Sequence, residues 1–543
     1  MRLKEDNTKQ KLLGAYYTPI KLANAMVKFL DFEEVQSVLE PSCGDGVFLN
    51  SLSQTGIIER INNIDAVEIE NDEAEKVINA YQNNENVHVY NEDFFEFYSR
   101  VKEGERYDLI LGNPPYIRYQ YLTEEQRKIQ SKILESHGMK ANKLINAWVA
   151  FLVACVHLLS DNGKIAFVIP AEILQVAYAE DLRLFLSTQL TKITLITFEQ
   201  LVFPDIEQEI LVFLGEKNTE EKGIRIIETN NISECENLRL DQIDFQKMNH
   251  AKEKWTKYFI SPKEIELIQQ IRNDKRFVEF SDIGIINVGI TTGDNKYFSI
   301  NDQVCKEYNL EEITLPLIGR SSHAHGIRFT RKDWEYNCKA GKNARLILFP
   351  ESIEYNDYPQ NYKDYIQLGE KEGINKGYKC SIRDRWYIIP SVWVPDAFFL
   401  RRNNIYPKFV LNECGAVSTD TMHRMKFNPG VNPNNILLSY YNSISFAFTE
   451  VCGRSYGGGV LEILPGEMGN IMLPKIQKIN SKLRDEVLKE IDKIVRSEKD
   501  IEEALDIVDN KILINELNIE PDWCKECRII WRKLKRRRLR RGQ

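Results

Sequence analysis

The sequence predicts an α/β protein: a doubly wound, mainly parallel sheet with helices on both faces, followed by a region of mixed α+β structure. Three observations predict it. Short apolar runs alternate with helix-sized inserts from about residue 14 to 245, the pattern of strands joined by crossover helices. The first four runs each end in polar or glycine-bearing turns, the place where doubly wound folds hold their ligands. From about residue 246 aromatics, arginine and glycine rise, and strand-like pieces are separated by turns.

The elements follow in order. Residues 1–13 are polar, and Ile20 to Leu30 has the apolar spacing of a helix. Val38-Leu39-Glu40-Pro41-Ser42-Cys43-Gly44-Asp45-Gly46 reads as a strand running into a glycine turn, whose glycines let the backbone approach a ligand closely. It is not the GxGxxG pattern, and no GxxxxGK[ST] occurs, so a nucleoside triphosphate is not expected. Ile64 to Glu70 reads as a second strand carrying Glu68 near its end, where an acid can hold ribose hydroxyls. Val87 to Tyr90 leads to Asp93-Phe94, an acid and a ring suited to the amino edge and face of an adenine.

Tyr107 to Gly112 is the fourth strand, and it ends at Asn113-Pro114-Pro115-Tyr116. This tetrapeptide suits a planar amino group whose lone pair is conjugated. The Asn oxygen accepts one N–H. A carbonyl beside proline is held in a fixed direction and accepts the other. The Tyr ring offers a flat face to the heterocycle. Ile117 to Leu144 is polar and Lys-rich, and its position after the fourth strand suits contact with substrate. Trp148 to Leu159 reads as a helix, and Gly163 to Pro170 and Glu209 to Leu214 as late strands.

At 543 residues, with 43% hydrophobic and 28% charged residues, the chain is expected to hold at least two soluble domains. We place boundaries at 1–245, 246–475 and 476–543. No apolar run is long enough for a membrane span, and the polar N-terminus is unlike a signal peptide. Ten scattered cysteines fit reduced thiols in the cytoplasm. Cys524 and Cys527 lack a second pair for a zinc site, and His323 and His325 read as polar loop residues, so no metal is expected. The net charge is -8, yet residues 528–541 carry nine Lys/Arg and no acid. That tail either lies along phosphates or is solvated. In the middle region, 288–295, 319–323, 381–387 and 454–459 mix donors, small residues and aromatics, which suits contacts to a nucleic-acid backbone and base edges. Residues 480–516 read as charged amphipathic helix.

The order of these motifs resembles the gamma-class (TaqI-like) N6-adenine DNA methyltransferases of restriction–modification systems. The resemblance rests on Gly14-Ala15-Tyr16-Tyr17-Thr18-Pro19, the glycine turn, Glu68, Asp93-Phe94 and Asn113 to Tyr116. It continues through Gly163 to Pro170 and Val202-Phe203-Pro204 with Glu209 to Leu214. It is dense over 14–214 and looser from about 250. It implies a Rossmann-like class I methyltransferase sheet followed by a target-recognition domain, and S-adenosylmethionine as methyl donor. Thr18, Glu40, Ser42, Glu68, Ile69, Asp93, Phe94 and Pro115 would line the cofactor site. Asn113, Pro114, Tyr116 and Phe203 would hold a flipped adenine.

The expected partner is double-stranded DNA. A separate cognate restriction endonuclease is expected, because only 13 residues precede the first motif and no Asp…Glu-x-Lys metal site is evident. A monomer or weak dimer is expected. One alternative is an N-methyltransferase acting on a guanine amine in ribosomal RNA or a glutamine amide in a protein. Those enzymes usually lack both the leading Tyr-Thr-Pro segment and a large C-terminal domain. The other is an inactive DNA-recognition subunit, against which the intact Asn113 to Tyr116 argues.

Overall fold

The computed structural model describes residues 17–140, 145–203, 209–248 and 253–540. Gly14 to Tyr16 and Pro204 fall outside them. The chain forms two compact units, Met1–Pro262 and Lys263–Gln543.

In the first unit eight strands make one sheet, in the order β3-β2-β1-β4-β5-β7-β6-β8. They are β1 (Ser37–Glu40), β2 (Asn63–Val67), β3 (Val87–Tyr90), β4 (Tyr107–Gly112), β5 (Leu159–Pro170), β6 (Lys192–Phe198), β7 (Ile210–Glu216) and β8 (Gly223–Thr229). Every pairing is parallel except those of β7, which runs antiparallel between β5 and β6. The strand order reverses between β1 and β4. This switch point opens a crevice at the carboxyl ends of the strands, where the sequence set its four motif-bearing ends. Asp108 fixes the opposite end of the sheet: its carboxylate accepts from the Ser37 amide at 3.1 Å and the Ser160 hydroxyl at 3.0 Å, tying β1 and β5 to β4.

Right-handed crossovers then decide which face each helix covers. The steps β1→β2→β3 run one way along the sheet, so α2 (Val47–Gln54) and α3 (Asn71–Tyr81) share a face. The steps β3→β4→β5 run the other way, which puts α4 (Phe94–Val101) and α6 (Ala147–Leu158) together on the second face. The rings of Phe94 and Phe151, one from each helix, stack there at 4.6 Å. α6 is apolar all round and all its residues but His157 are buried, as a central covering helix requires. α1 (Ile20–Lys28) packs on α2 and buries Leu22, Ala23, Ala25, Met26 and Val27.

The polar insert after the tetrapeptide contains a helix, α5 (Glu124–Ser136). Thr123 and Gln126 form its capping box, a signal already present in the sequence as Thr-x-x-Gln.

The second unit is mixed α+β, with sheets of five, four, three and two strands. Residues 253–262 belong to the first unit, where Trp255 is buried. The helices of 476–540 are part of the second. Here the structure corrects the solvated reading of the basic tail. Residues Pro521–Arg540 form one helix packed on Ser443–Cys452. Arg538 is buried and its guanidinium donates to both oxygens of buried Glu450, at 2.9–3.1 Å. Arg528 donates to Ser443 at 2.7 Å and to Asp509 at 3.0 Å. Arg532 pairs with Glu502, and Lys533 with Glu264. Much of the tail's charge is therefore spent inside the fold, and Cys524 and Cys527 are buried on the same helix. No helix among the described residues is long and apolar enough to cross a membrane.

Candidate active site

The crevice at the switch point is a pocket walled by the strand ends. Ser42, Glu68, Ile69, Asp93, Phe94, Asn113 and Pro115 all line it. Seven sequence-expected residues from four strand ends thus meet in one place.

The glycine turn is shaped for this. Gly44 and Gly46 have φ of 52° and 78°, the left-handed region that glycine enters without penalty. Gly46 leads into α2, and a Cβ on it would meet Val77 at 3.1 Å. Glu68 straps the turn to β2. One of its oxygens accepts from the Gly44 amide at 2.7 Å and the other from the Glu70 amide at 2.9 Å. A carboxylate has about four lone-pair sites, so two such bonds leave each oxygen able to accept again. Burial pushes the Glu68 carboxyl above its usual range, against the pull of those backbone amides. Asp93 caps α4, one oxygen accepting from the Phe95 amide at 2.7 Å. Ser42 donates to the Asn113 carbonyl at 3.2 Å, tying the β1 turn to the tetrapeptide. Ile69 is 55% exposed, an apolar surface at the pocket wall.

The pocket is also acidic. Glu70, Glu73 and Glu92 line it beside Glu68 and Asp93. Glu40 sits behind the glycine turn, buried, and neither of its oxygens has a hydrogen-bond partner among the described residues. Burial, then the charges of Asp45 and Glu68, hold its carboxyl well above the usual range.

The other expected residues are not on the pocket wall. Glu40, Thr18 and Pro114 are buried beside it. Tyr116 is 7% exposed, and its hydroxyl donates to the Val168 carbonyl at 3.0 Å. Phe203 is also 7% exposed. His323 and His325 serve local structure: the Gly319 amide donates to His323 at 3.3 Å, and His325 pairs with Asn337 at 3.1 Å.

Comparison with known proteins agrees with this geometry. Residues 23–203 match the family described as Eco57I restriction-modification methylase, and 252–513 match the C-terminal domain of Type II methyltransferase M.Eco57I. The Type II methyltransferase M.AccI of Acinetobacter calcoaceticus is 28% identical, the alignment covering 95% of each chain. The chain belongs to the Eco57I-type restriction-modification methylases. It is thus a DNA methyltransferase of the restriction–modification kind. M.HindII of Haemophilus influenzae is 26% identical over 66% of this chain and 69% of that one. Among solved structures, the Type IIL restriction-modification enzyme MmeI in complex with DNA shares the fold at a TM-score of 0.60, with 13% identity, over 98% of this chain and 80% of that one.

Several pocket residues of this methylase escaped the sequence reading. Tyr17 directly precedes the sequence-expected Thr18. Its ring lies over Gly44 and its hydroxyl donates to Glu73 at 3.0 Å. Burial and that acid push the phenol up to about 12. Gln126 and Gln130 reach the pocket from α5, and Phe151 from α6. The two glutamines are four apart on a helix, a spacing that puts both on one face.

Proposed function

We propose that this methylase transfers a methyl group from S-adenosylmethionine to N6 of an adenine extruded from duplex DNA, at one short site. The observation that carries the reading is that Asn113 and Pro115 line the same pocket as Glu68 and Asp93. An amine-gripping group and a nucleoside-gripping pair thus share one wall.

The residues fit the cofactor by chemistry. Glu68 keeps acceptor capacity for two ribose hydroxyls. Asp93 keeps one oxygen for an amino edge, and Ile69 and Pro115 give apolar surface for the adenine ring. The acids around the glycine turn create a negative field that favours a cation. The cofactor supplies an electrophilic methyl on a positively charged sulfonium. The chain supplies position and lone-pair localisation. The Asn113 side-chain oxygen and the Pro114 carbonyl accept the two amino hydrogens, which concentrates the lone pair on the nitrogen. Extrusion costs a few kcal/mol, and stacking on Tyr116 with contact from Phe203 offsets about 1–3 kcal/mol of it. DNA cleavage falls to a separate cognate endonuclease, and the chain acts in the cytoplasm as a monomer or weak dimer.

The test is methyl transfer to mixed-sequence duplex DNA, with products digested to nucleosides and weighed. N6-methyladenine is expected. Asn113→Ala should abolish turnover and leave calorimetric cofactor binding nearly intact. Methylated cytosine, or methyl groups on RNA or protein only, would overturn the reading.

A further inference from the structure

Two of the loop segments singled out in the sequence, 288–295 and 381–387, meet in the second unit. Gly293 sits at φ 96°, and a Cβ there would lie 2.6 Å from the Cys380 sulfur and 3.4 Å from Arg383. Only glycine allows this approach. Cys380 is fully buried, and Arg383 donates to the Thr291 carbonyl at 3.1 Å and the Trp386 carbonyl at 3.3 Å. Behind them Tyr297 and Tyr365 each donate to the other's backbone carbonyl, at 2.9 and 2.8 Å, and Trp386 packs on Tyr297.

What this rigid mount carries is the short helix Tyr378–Ser381 and its cap Ile382. Tyr378 is 75% exposed and Ile382 64%. They are four apart on one helical turn, so they share a face. Two large apolar side chains held outward on a locked element are costly to leave in water.

The surroundings name the partner. Residues 371–385 hold five basic and two acidic residues in a chain of net charge -8. Lys376 and Lys379 are exposed and form no ion pair among the described residues. Arg383 and Arg385 are held by carbonyl oxygens rather than carboxylates, so their charge is uncompensated. Aromatic and aliphatic tips between unpaired cations match a nucleic acid, whose bases accept apolar contact and whose flanking phosphates accept cations.

We propose that the 376–382 turn is a DNA-reading element of this methylase, with Tyr378 and Ile382 against bases and Lys376 and Lys379 against phosphates. The inference rests on duplex DNA being the substrate. It is tested by methylating a pool of duplexes of randomised sequence and mapping the modified bases for wild type, Tyr378→Ala/Ile382→Ala and Lys376→Ala/Lys379→Ala. The apolar pair should lower the ratio of on-site to off-site methylation by roughly ten- to a hundredfold, the scale of one or two lost base contacts. The lysine pair should reduce kcat/KM on all duplexes alike and flatten its salt dependence, with the site unchanged. All these positions are exposed, so thermal melts and cofactor binding should match wild type. An apolar pair that keeps the wild-type site profile overturns the proposal, as does a lysine pair that redefines the site. A wild-type protein that modifies no duplex removes the substrate, and this inference falls with it.

Discussion

Buried charge is handled in opposite ways in the two units. Around the glycine turn of the first, Glu68 is buried against backbone amides and Glu40 beside Asp45 and Glu68, with no cation paired to either Glu40 or Glu68 among the described residues. Like charges crowd one another there. In the second, buried Arg538 meets buried Glu450 through three contacts and donates again to the Gly459 carbonyl. A lone buried charge is expensive in either place. Where an opposite charge completes it, the cost is met within the fold and the group is structural. Where no opposite charge is at hand, burial instead holds the carboxyl towards its neutral form, as the raised Glu68 and Glu40 show.

The largest effect should come from breaking the completed pair. Arg538→Ala leaves Glu450 buried and alone, at a cost of about 3–5 kcal/mol. The urea midpoint of the earliest unfolding transition should drop accordingly. Arg538→Met combined with Glu450→Leu should recover part of the loss, since it removes both charges and keeps volume. A single variant as stable as wild type would break the comparison, because the pair would then not be completing anything.

The pocket acid should behave in the reverse way. Glu68→Gln should cost no more than about 1–3 kcal/mol of stability, since one backbone amide keeps its acceptor and only the other loses it. It should weaken cofactor binding by roughly 1.5–3 kcal/mol, the scale of hydrogen bonds to a charged group. Calorimetry and melting of the same sample separate the two readouts. If Glu68→Gln melts far below wild type yet binds normally, the carboxylate is a strap only.

Acidity sharpens this further. The folded Glu68 carboxyl is raised above its unfolded value. Its ionisation is therefore disfavoured by folding: the contribution is favourable at acid pH and is lost as pH rises through the raised value. Cofactor binding needs the ionised form and runs the other way. The ligand-induced rise in Tm should grow with pH, beginning above the ordinary carboxylate range, and Glu68→Gln should flatten it.

The part of this arrangement legible in the sequence was the part encoded locally. Each strand end carries its residue within a few positions of the strand, so Glu68, Asp93 and Asn113 could be read in order, and parallel pairing brings consecutive ends together. Phe151 could not be read. α6 is apolar on every side, and which ring faces the pocket is set by the crossover geometry rather than by spacing. Tyr17 lines the pocket while Thr18 is buried, and the sequence could not tell them apart for the same reason: adjacent residues point apart, and nothing local says which is buried. The packing of the tail was hidden for a different reason. A run of basic residues looks alike whether its partners are phosphates, water or Glu450, which lies 88 residues earlier.

The smallest effect concerns Tyr116. Its proposed role as a stacking platform depends only on the ring, so the sequence alone predicts a mild effect for Tyr116→Phe. The structure adds the hydroxyl's bond to the Val168 carbonyl on β5. That bond anchors the ring of a loop residue to the rigid sheet, and losing one such bond costs about 0.5–1.5 kcal/mol. Tyr116→Phe should therefore fall between wild type and Tyr116→Ala in its ability to hold the extruded base. A 2-aminopurine at the target position reports extrusion by its fluorescence. Phe matching wild type would mean that packing alone holds the ring, which is already 7% exposed. Phe as damaged as Ala would mean that anchoring, and not the face of the ring, is what Tyr116 contributes.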